Sequence, residues 1–349
     1  MRNIGIIGCG KIAQVRHIPE LAANPDARIM GYYNPTQSRA EQMATQYGGK
    51  VYPALADLLA DPEIDAVVMS LANQAHAEVT IQALKAGKDV LCEKPMATTI
   101  EECEAMVAAA EEAGKVLMIA QNQRLAKAHE KAKQLIEEGA IGKVLTFRTT
   151  FGHGGPETWS INPGKGTWFF NKEKAAMGAM ADLGIHKTDL IQYLLGEQVV
   201  KVSAEITTLD KTGENGELIE VDDNAICIFT MESGIIGTMT ASWTYYGAED
   251  NSTILYGTKG IMRIYDNPAY AIQLIAADGT CTNMDVEQIQ TNDNQTKSGM
   301  TDLFVETLEK NLEVAISGKE VLAAMRAIFA AIKSSEQGCA VEIPENKTK

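Results

Sequence analysis

Three short stretches carry residue types whose spacing could do chemistry. In Gly178-Ala-Met-Ala-Asp182-Leu-Gly-Ile-His186 a carboxylate and an imidazole stand four residues apart, so a helix there projects both from one face. An imidazole can take a hydroxyl proton and a carboxylate can bind or orient the same group, which is what alcohol oxidation needs. In Cys92-Glu93-Lys94-Pro95 a lysine precedes a proline that pins its peptide. At the start of the chain, Gly8-Cys9-Gly10-Lys11-Ile12-Ala13 forms Gly-x-Gly-x-x-Ala behind Ile4, Ile6 and Ile7. The first glycine of such a turn permits the bend, the second lets a pyrophosphate approach the backbone, and the small third residue allows helix and strand to pack closely. The plain alternatives are a capping aspartate beside a packed histidine, a solvated lysine, and a bare βα turn.

These stretches need elements to position them. Asn3–Ile7 predicts a strand, and the spacing of Ile12, Val15, Ile18 and Leu21 predicts a helix behind the glycine turn. Strands at 28–33, 65–71, 89–93 and 115–120 then alternate with helices at 38–47, 76–86 and 99–113, the last two closed by Gly87 and Gly114. Short loops between strands and helices of this length predict a doubly wound parallel sheet over residues 1–122. In such a sheet the glycine turn, Ser70-Leu71-Ala-Asn73-Gln-Ala-His76 and Glu93-Lys94 all fall at the carboxyl ends of strands, where a dinucleotide lies. Asn73 could meet the ribose or nicotinamide side, and His76 could merely cap its helix.

Beyond residue 122 the pattern changes. A helix at 128–138 precedes strands at 144–153, 199–209, 224–231, 235–245, 252–256 and 261–265, several alternating in polarity and joined by turns such as Gly257-Thr-Lys-Gly260. That predicts a mainly antiparallel sheet with one face buried. A helix at 176–195 interrupts it, helices at 302–316 and 321–336 follow, and the tail after Pro344 reads as frayed. The second domain is expected over 123–349, with the helix near 321–336 able to pack back on the first.

The chain's 349 residues are enough for about two cores. A net charge of −15 argues against nucleic acid or an anionic membrane as partner. No apolar run approaches the roughly 18 residues of a membrane span, and the first strand begins too early to leave room for a signal peptide. The six cysteines show no Cys-x-x-Cys pair, which speaks against a metal site or disulfide framework and for small buried hydrophobes in a reducing cytoplasm.

Gly8-x-Gly10-x-x-Ala13, Glu93-Lys94-Pro95 and Asp182-x-x-x-His186, in this order and at these distances, resemble the Gfo/Idh/MocA oxidoreductase family over the whole chain. The resemblance implies a Rossmann domain followed by an α+β domain with a large open, mainly antiparallel sheet. It implies hydride transfer between NAD or NADP and a hydroxyl or carbonyl of a sugar, inositol or glycoside, in a homodimer or homotetramer built through the sheet. Carried onto this chain, Lys94 would hydrogen-bond the reacting hydroxyl, His186 would accept its proton, and Asp182 would hold the substrate and tune the pair. Gly8, Gly10, Lys11, Ile12, Asn34, Arg39, Leu71, Asn73, His76, Glu93 and Lys94 would line the cofactor.

Two positions depart from the family pattern. Asn34 stands where an acidic residue commonly grips the adenosine ribose, and Pro35 where a phosphate-binding arginine could sit, so NAD is favoured and NADP stays open. Ala72 replaces the usual proline before Asn73. For the substrate, the glycine-rich excursion Phe151-Gly-His153-Gly-Gly-Pro-Glu-Thr-Trp159, together with Trp168-Phe-Phe and Arg124, supplies aromatic faces beside polar groups. That mixture suits the C–H faces and hydroxyl rim of a pyranose, although core aromatics and a loop would read alike. Two other functions fit the same motifs. One is glycoside cleavage by transient oxidation at sugar C3 and elimination, with the cofactor recycled in place. The other is a nucleotide-binding sensor without turnover.

Overall fold

The computed structural model describes residues 1–287 and 297–344; the tail after Pro344 lies outside them. The chain divides into two compact units, Met1–Asn122 with Asn292–Leu322, and Gln123–Thr291 with Ala323–Lys349. Among the described residues no helix is long and apolar enough to cross a membrane.

The first unit is a doubly wound sheet. Its strands are β1 (Arg2–Ile7), β2 (Ala27–Tyr33), β3 (Lys50–Val51), β4 (Ala66–Met69), β5 (Asp89–Cys92) and β6 (Leu117–Ile119), in the spatial order β3-β2-β1-β4-β5-β6. Every pairing is parallel. Ile4, Ile6, Ile7, Val67, Val68, Val90 and Leu91 are essentially inaccessible, as strands covered on both faces must be. The strand order reverses between β1 and β4, so the crevice outside their carboxyl ends is the switch point where ligands of such sheets bind. Helices α1 (Ile18–Ala23), α2 (Gln37–Tyr47), α3 (Leu55–Ala60), α4 (His76–Lys85) and α5 (Ile100–Ala113) connect the strands. Thr99 and Glu102 form a reciprocal capping box at the start of α5, and Gly114 closes it at φ 60°, the left-handed conformation glycine adopts without penalty.

The second unit holds helices α6 (Lys127–Glu137), α7 (Lys172–Ala175) and α8 (Ile185–Leu195) and a nine-stranded sheet. The strands are β7 (Val144–Gly152), β8 (Val199–Thr207), β9 (Asn224–Met231), β10 (Ile236–Ser242), β11 (Thr253–Gly257), β12 (Gly260–Asn267), β13 (Tyr270–Ala276), β14 (Cys281–Met284) and β15 (Val341–Glu342). They lie in the order β14-β13-β12-β11-β7-β10-β9-β8-β15, antiparallel except where β10 runs beside β7. Polarity alternation settles the faces. Ala225, Cys227, Phe229 and Met231 of β9 are buried, whereas Ile226 and Ile228 are 59% and 49% exposed. The segment that enters α8 lies on the inner face, with Gly184 close against Met239 and Ala241 of β10.

Several expectations need correction. The expected helix behind the glycine turn runs from Lys11, but residues 13–17 widen into a π turn before α1, and residues 180–184 form another before α8. Strands β3 and β15, two residues each, are too short to show a period, and β13 and β14 were not expected. The α9 helix (Met300–Lys310) stops at Asn311, which is left-handed at φ 49°, and α10 runs Gly318–Gln337. Residues 297–322 belong with the first unit rather than the second. Glu20 there accepts from Ser298, Gly299 and Thr301, and Met1 and Arg2 pair with Glu309. The later part of α10 belongs to the second unit, where Ser334 accepts from the Ala204 amide. Cys281 and Cys339 are exposed, unlike the other four cysteines.

Candidate active site

In the first unit the glycine turn forms as its residues require. Gly8 sits at φ 96°, and a Cβ there would lie 2.5 Å from the Ser70 carbonyl oxygen at the end of β4. Only glycine lets the ends of β1 and β4 approach so closely. Around Gly10 the nearest atom to an added Cβ is the Ser70 carbonyl oxygen, 3.8 Å away, an ordinary van der Waals contact, so this glycine is less tightly packed than Gly8. Half-buried Lys11 and Ile12 begin the helix, and Ala13 is buried beneath it. A bare peptide edge followed by a helix N-terminus fits a pyrophosphate. Asn34 at the end of β2 is turned inward: its Oδ1 accepts from the Cys9 amide at 2.8 Å and its Nδ2 donates to the Thr36 carbonyl at 2.8 Å. The residue expected to hold a ribose thus also ties the glycine turn to β2. Burial pushes the Cys9 thiol up to about 12, and the positive charge of Arg39 on α2 works against that rise.

The loops after β4 and β5 are tied together. Asn73 is buried at the start of a single 3-10 turn. The two ring nitrogens of buried His76 lie 2.7 Å from the Pro95 carbonyl and 3.1 Å from the Leu71 carbonyl. Burial lowers the pKa of His76, and a neutral imidazole donates to one of these oxygens at a time. The Lys94–Pro95 peptide is cis. Glu93 meets His17 Nε2 at 2.7 Å through Oε1 and accepts from the Lys94 amide at 3.1 Å through Oε2. Burial alone would raise its carboxyl, but the His17 hydrogen bond and the charges of His17, Lys94 and Arg16 hold it below the usual range. Glu93, expected at the cofactor, is in this structure the group that fixes the backbone of Lys94. The Lys94 side chain is half-buried.

In the second unit Asp182 falls inside the π turn and His186 in the first turn of α8, at 6% and 7% exposure. Asp182 Oδ2 accepts the indole N–H of fully buried Trp243 at 3.0 Å. The His186 ring lies 6.0 Å from that of Phe151 at the end of β7. From Phe151 the ring contacts continue to His153 (5.8 Å), Trp159 (6.1 Å), Phe169 (5.1 Å) and Trp243 (6.4 Å), and Trp168 stacks on Phe169 at 3.9 Å. The chain of rings that leaves His186 therefore returns, through Trp243, to Asp182.

The remaining substrate candidates divide. His153 belongs to this ring and accepts the Gly155 amide at Nδ1; Trp159 and Trp168 are half-buried members of it. Arg124 is buried at 5% with its guanidinium forked onto Asp189 of α8 at 2.6 and 2.7 Å, a strong bidentate ion pair that anchors the 3-10 turn at 122–125 to α8. Sequence reading missed Asp189 as that partner. It also missed Lys187, fully buried, whose Nζ donates to the Asn251 carbonyl at 2.9 Å. Desolvation brings Lys187 down to about 7, against the pull of Asp250 and Glu249. A lysine in a buried helix register was the available signal for this second residue.

Comparison with known proteins identifies the family. Residues 2–121 match the family model described as oxidoreductase family, NAD-binding Rossmann fold, and residues 129–263 match the GFO/IDH/MocA C-terminal domain. The chain is 31% identical over 287 residues to levoglucosan dehydrogenase of Pseudarthrobacter phenanthrenivorans, covering 74% of this chain and 72% of that one. It is 25% identical to myo-inositol 2-dehydrogenase of Thermotoga maritima over 98% and 99% of the two chains. Among solved structures, levoglucosan dehydrogenase in complex with NADH and levoglucosan superposes with a TM-score of 0.85 at 25% identity, over 98% of this chain and 99% of that one. Aldose-aldose oxidoreductase from Caulobacter crescentus gives 0.83 at 26% identity, over 98% and 99%. With both of its units matched in order, and the glycine turn, the Glu93-Lys94-Pro95 loop and the Asp182–His186 helix in place, the chain is an NAD-dependent oxidoreductase of the Gfo/Idh/MocA family.

Proposed function

We propose that the protein oxidises a ring hydroxyl of a sugar, inositol or glycoside with NAD, and runs the reverse reduction when carbonyl and NADH are supplied. The observation that carries this reading is the circuit of aromatic rings that starts at His186 and closes on Asp182. Aromatic faces take the apolar C–H face of a pyranose, and the two polar side chains meet its hydroxyls. In this reading the substrate hydroxyl hydrogen-bonds to Lys94 and gives its proton to His186, while Asp182 holds the hydroxyl and keeps the imidazole oriented. The Lys94 ammonium stabilises the negative charge that grows on oxygen as the C–H bond breaks. When bound, NAD supplies the hydride acceptor. Gly8, Gly10, Lys11 and Ile12 hold its phosphates, Asn34 and Arg39 lie on its adenosine side, and Leu71, Asn73, His76 and Glu93 on its nicotinamide side.

The test is a panel of inositols, aldoses, anhydrosugars and glycosides with NAD, followed by NADH absorbance. Stoichiometric NADH accumulation on a member of the panel supports dehydrogenation. Product formation without net NADH would instead indicate elimination with the cofactor recycled.

We also propose a homodimer or homotetramer formed through the outer face of the nine-stranded sheet, and a cytoplasmic location, which the absence of paired cysteine motifs supports. Leu145, Ile226, Ile228 and Ile236 on β7, β9 and β10 are each about half exposed on neighbouring central strands. A contiguous apolar patch of this kind marks an association surface. Met239 and Trp243, on the other face, are fully buried in the unit's own core. Light scattering at micromolar concentration checks this. A multimeric mass that falls to the monomer with Ile226→Asp and Ile228→Lys supports it, and a monomeric wild type contradicts it.

A further inference from the structure

Two adjacent carboxylates outside the aromatic ring hold both the catalytic segment and the substrate wall of the second unit. Asp222 takes the amides that open the catalytic helix: Gly178 N–H donates to its Oδ1 and Met180 N–H to its Oδ2, each at 2.7 Å, and Ala179 N–H donates to its backbone carbonyl at 2.8 Å. One residue thus satisfies three successive donors that a helix start leaves without partners. The approach is close enough that a Cβ on Gly178 would lie 1.8 Å from the Asp222 carbonyl oxygen, so the glycine is obligatory there. Asp182 follows two residues after Met180.

Asp223, fully buried just before β9, takes a different set of partners. Its carboxylate accepts the amides of Leu209, Asp210 and Lys211 at 2.8 Å each, and its carbonyl accepts the Trp243 amide at 2.8 Å. Lys211, held by this bond, sends its ammonium to the Gly154 carbonyl at 2.5 Å and to Glu157. The excursion that carries His153 and Trp159 is therefore tied through Lys211 to Asp223.

We propose that Asp222 and Asp223 are paired positioning residues with separable effects: Asp222 fixes the Asp182–His186 segment and so sets turnover, whereas Asp223, through Lys211, fixes the aromatic excursion and so sets substrate affinity. Asparagine keeps the size of aspartate but places an NH2 donor where one carboxylate oxygen stood, so it loses one of the two amides at Asp222 and at least one of the three at Asp223. The proposal rests on the reading of Asp182 and His186 as the proton-handling pair, but the bonds it invokes can be tested without it.

The experiment compares wild type with Asp222→Asn, Asp223→Asn and Lys211→Met, the last of which leaves the backbone bonds to Asp223 in place and cuts the link to the excursion together with the ammonium's contact, 4.6 Å, with the Tyr246 ring. Amide hydrogen exchange, needing no substrate, should show Asp222→Asn speeding exchange across 178–186 and not across 153–160. Asp223→Asn and Lys211→Met should show the converse. Steady-state kinetics with NAD and whichever of levoglucosan, myo-inositol or D-glucose gives the largest NADH signal should split likewise. A misplacement of about 1 Å can cost about a hundredfold in rate. Asp222→Asn should therefore lower kcat by one to two powers of ten with KM near that of wild type, and Lys211→Met should raise KM about tenfold with kcat retained. Should either asparagine variant fail to fold, the wild-type amides of Gly178, Ala179 and Met180 still decide: slow exchange supports the cap, and fast exchange overturns it. Equal loss of kcat and KM function in all variants, or exchange rising across both segments together, overturns the division of labour. Retained turnover in His186→Ala with the exchange pattern intact would fault the functional reading and leave the positioning standing.

Discussion

The indole N–H of Trp243 donates to Asp182 Oδ2 at 3.0 Å, inside the π turn that precedes His186 by one turn of helix. The residue that follows β10 thus holds a carboxylate four residues before the proposed base. Single-turn π-bulges inside helices recur at functional sites, and here the widened turn carries Asp182.

Removing that donor tests the partnership. Trp243→Phe keeps the apolar bulk and leaves the buried carboxylate short of a bond worth about 1.5–3 kcal/mol where one partner is charged. It should lower kcat by about tenfold to a hundredfold, leave NAD affinity unchanged, and move the ascending limb of the pH–rate profile. A variant with wild-type kcat and profile would remove Trp243 from the mechanism.

Lys94 is expected to act on charge that develops during the reaction and little on the bound ground state. Lys94→Ala should cut kcat by at least about a hundredfold while the NAD dissociation constant, measured by fluorescence titration, moves less than about threefold. Loss of NAD binding in proportion to rate would make the lysine a cofactor anchor instead.

Asn34 offers a test of cofactor choice. Asn34→Asp keeps an acceptor for the Cys9 amide and loses the donor to Thr36. NAD binding should survive within a few-fold, and any NADP binding should weaken further through repulsion of the extra phosphate. Equal weakening of both would place the adenosine ribose elsewhere.

Lys187 gives stability a pH dependence. Its folded pKa, about 7, lies far below the value of an exposed lysine because burial disfavours the charged form. Between pH 7 and about 10 the unfolded chain binds a proton that the folded chain does not, so stability should rise with pH across that window. Asp250 and Glu249 face the ammonium and work against the shift, and the nearby His129 imidazole is held neutral by burial. Lys187→Met should raise the melting temperature at pH 7.5 by several degrees, at roughly 2–4 °C per kcal/mol for a unit of this size, and flatten its pH dependence. A lower melting temperature with the slope unchanged would contradict the buried neutral lysine.

The doubly wound sheet was legible because its signals are local: apolar runs of strand length, helices with the right spacing, and glycines at their ends. The helical segment that carries Asp182 and His186 was legible because its spacing is local, although the π turn that holds Asp182 was not. Other features had no local signal. Arg124 read as a substrate contact because Asp189, its partner, lies 65 positions away, and an ion pair at that range leaves no trace in spacing. Trp243 read as one more apolar position in an alternating strand, when its indole nitrogen is committed to Asp182. Residues 297–322 join the first unit through Glu20 and Glu309, contacts nearly the length of the chain apart, so the passage back was invisible in the sequence.

The central claim is that His186 takes the hydroxyl proton as hydride leaves, and the most direct measurement is the pH dependence of single-turnover NADH formation in wild type and His186→Ala, using the best substrate of the sugar panel. A proton acceptor must be neutral to act, so the wild-type rate should climb with pH as the acceptor loses its proton and then level. His186→Ala should lose at least about a hundredfold in rate together with that climb. A variant that keeps the wild-type climb, at any rate, would assign the proton to another group and contradict the account.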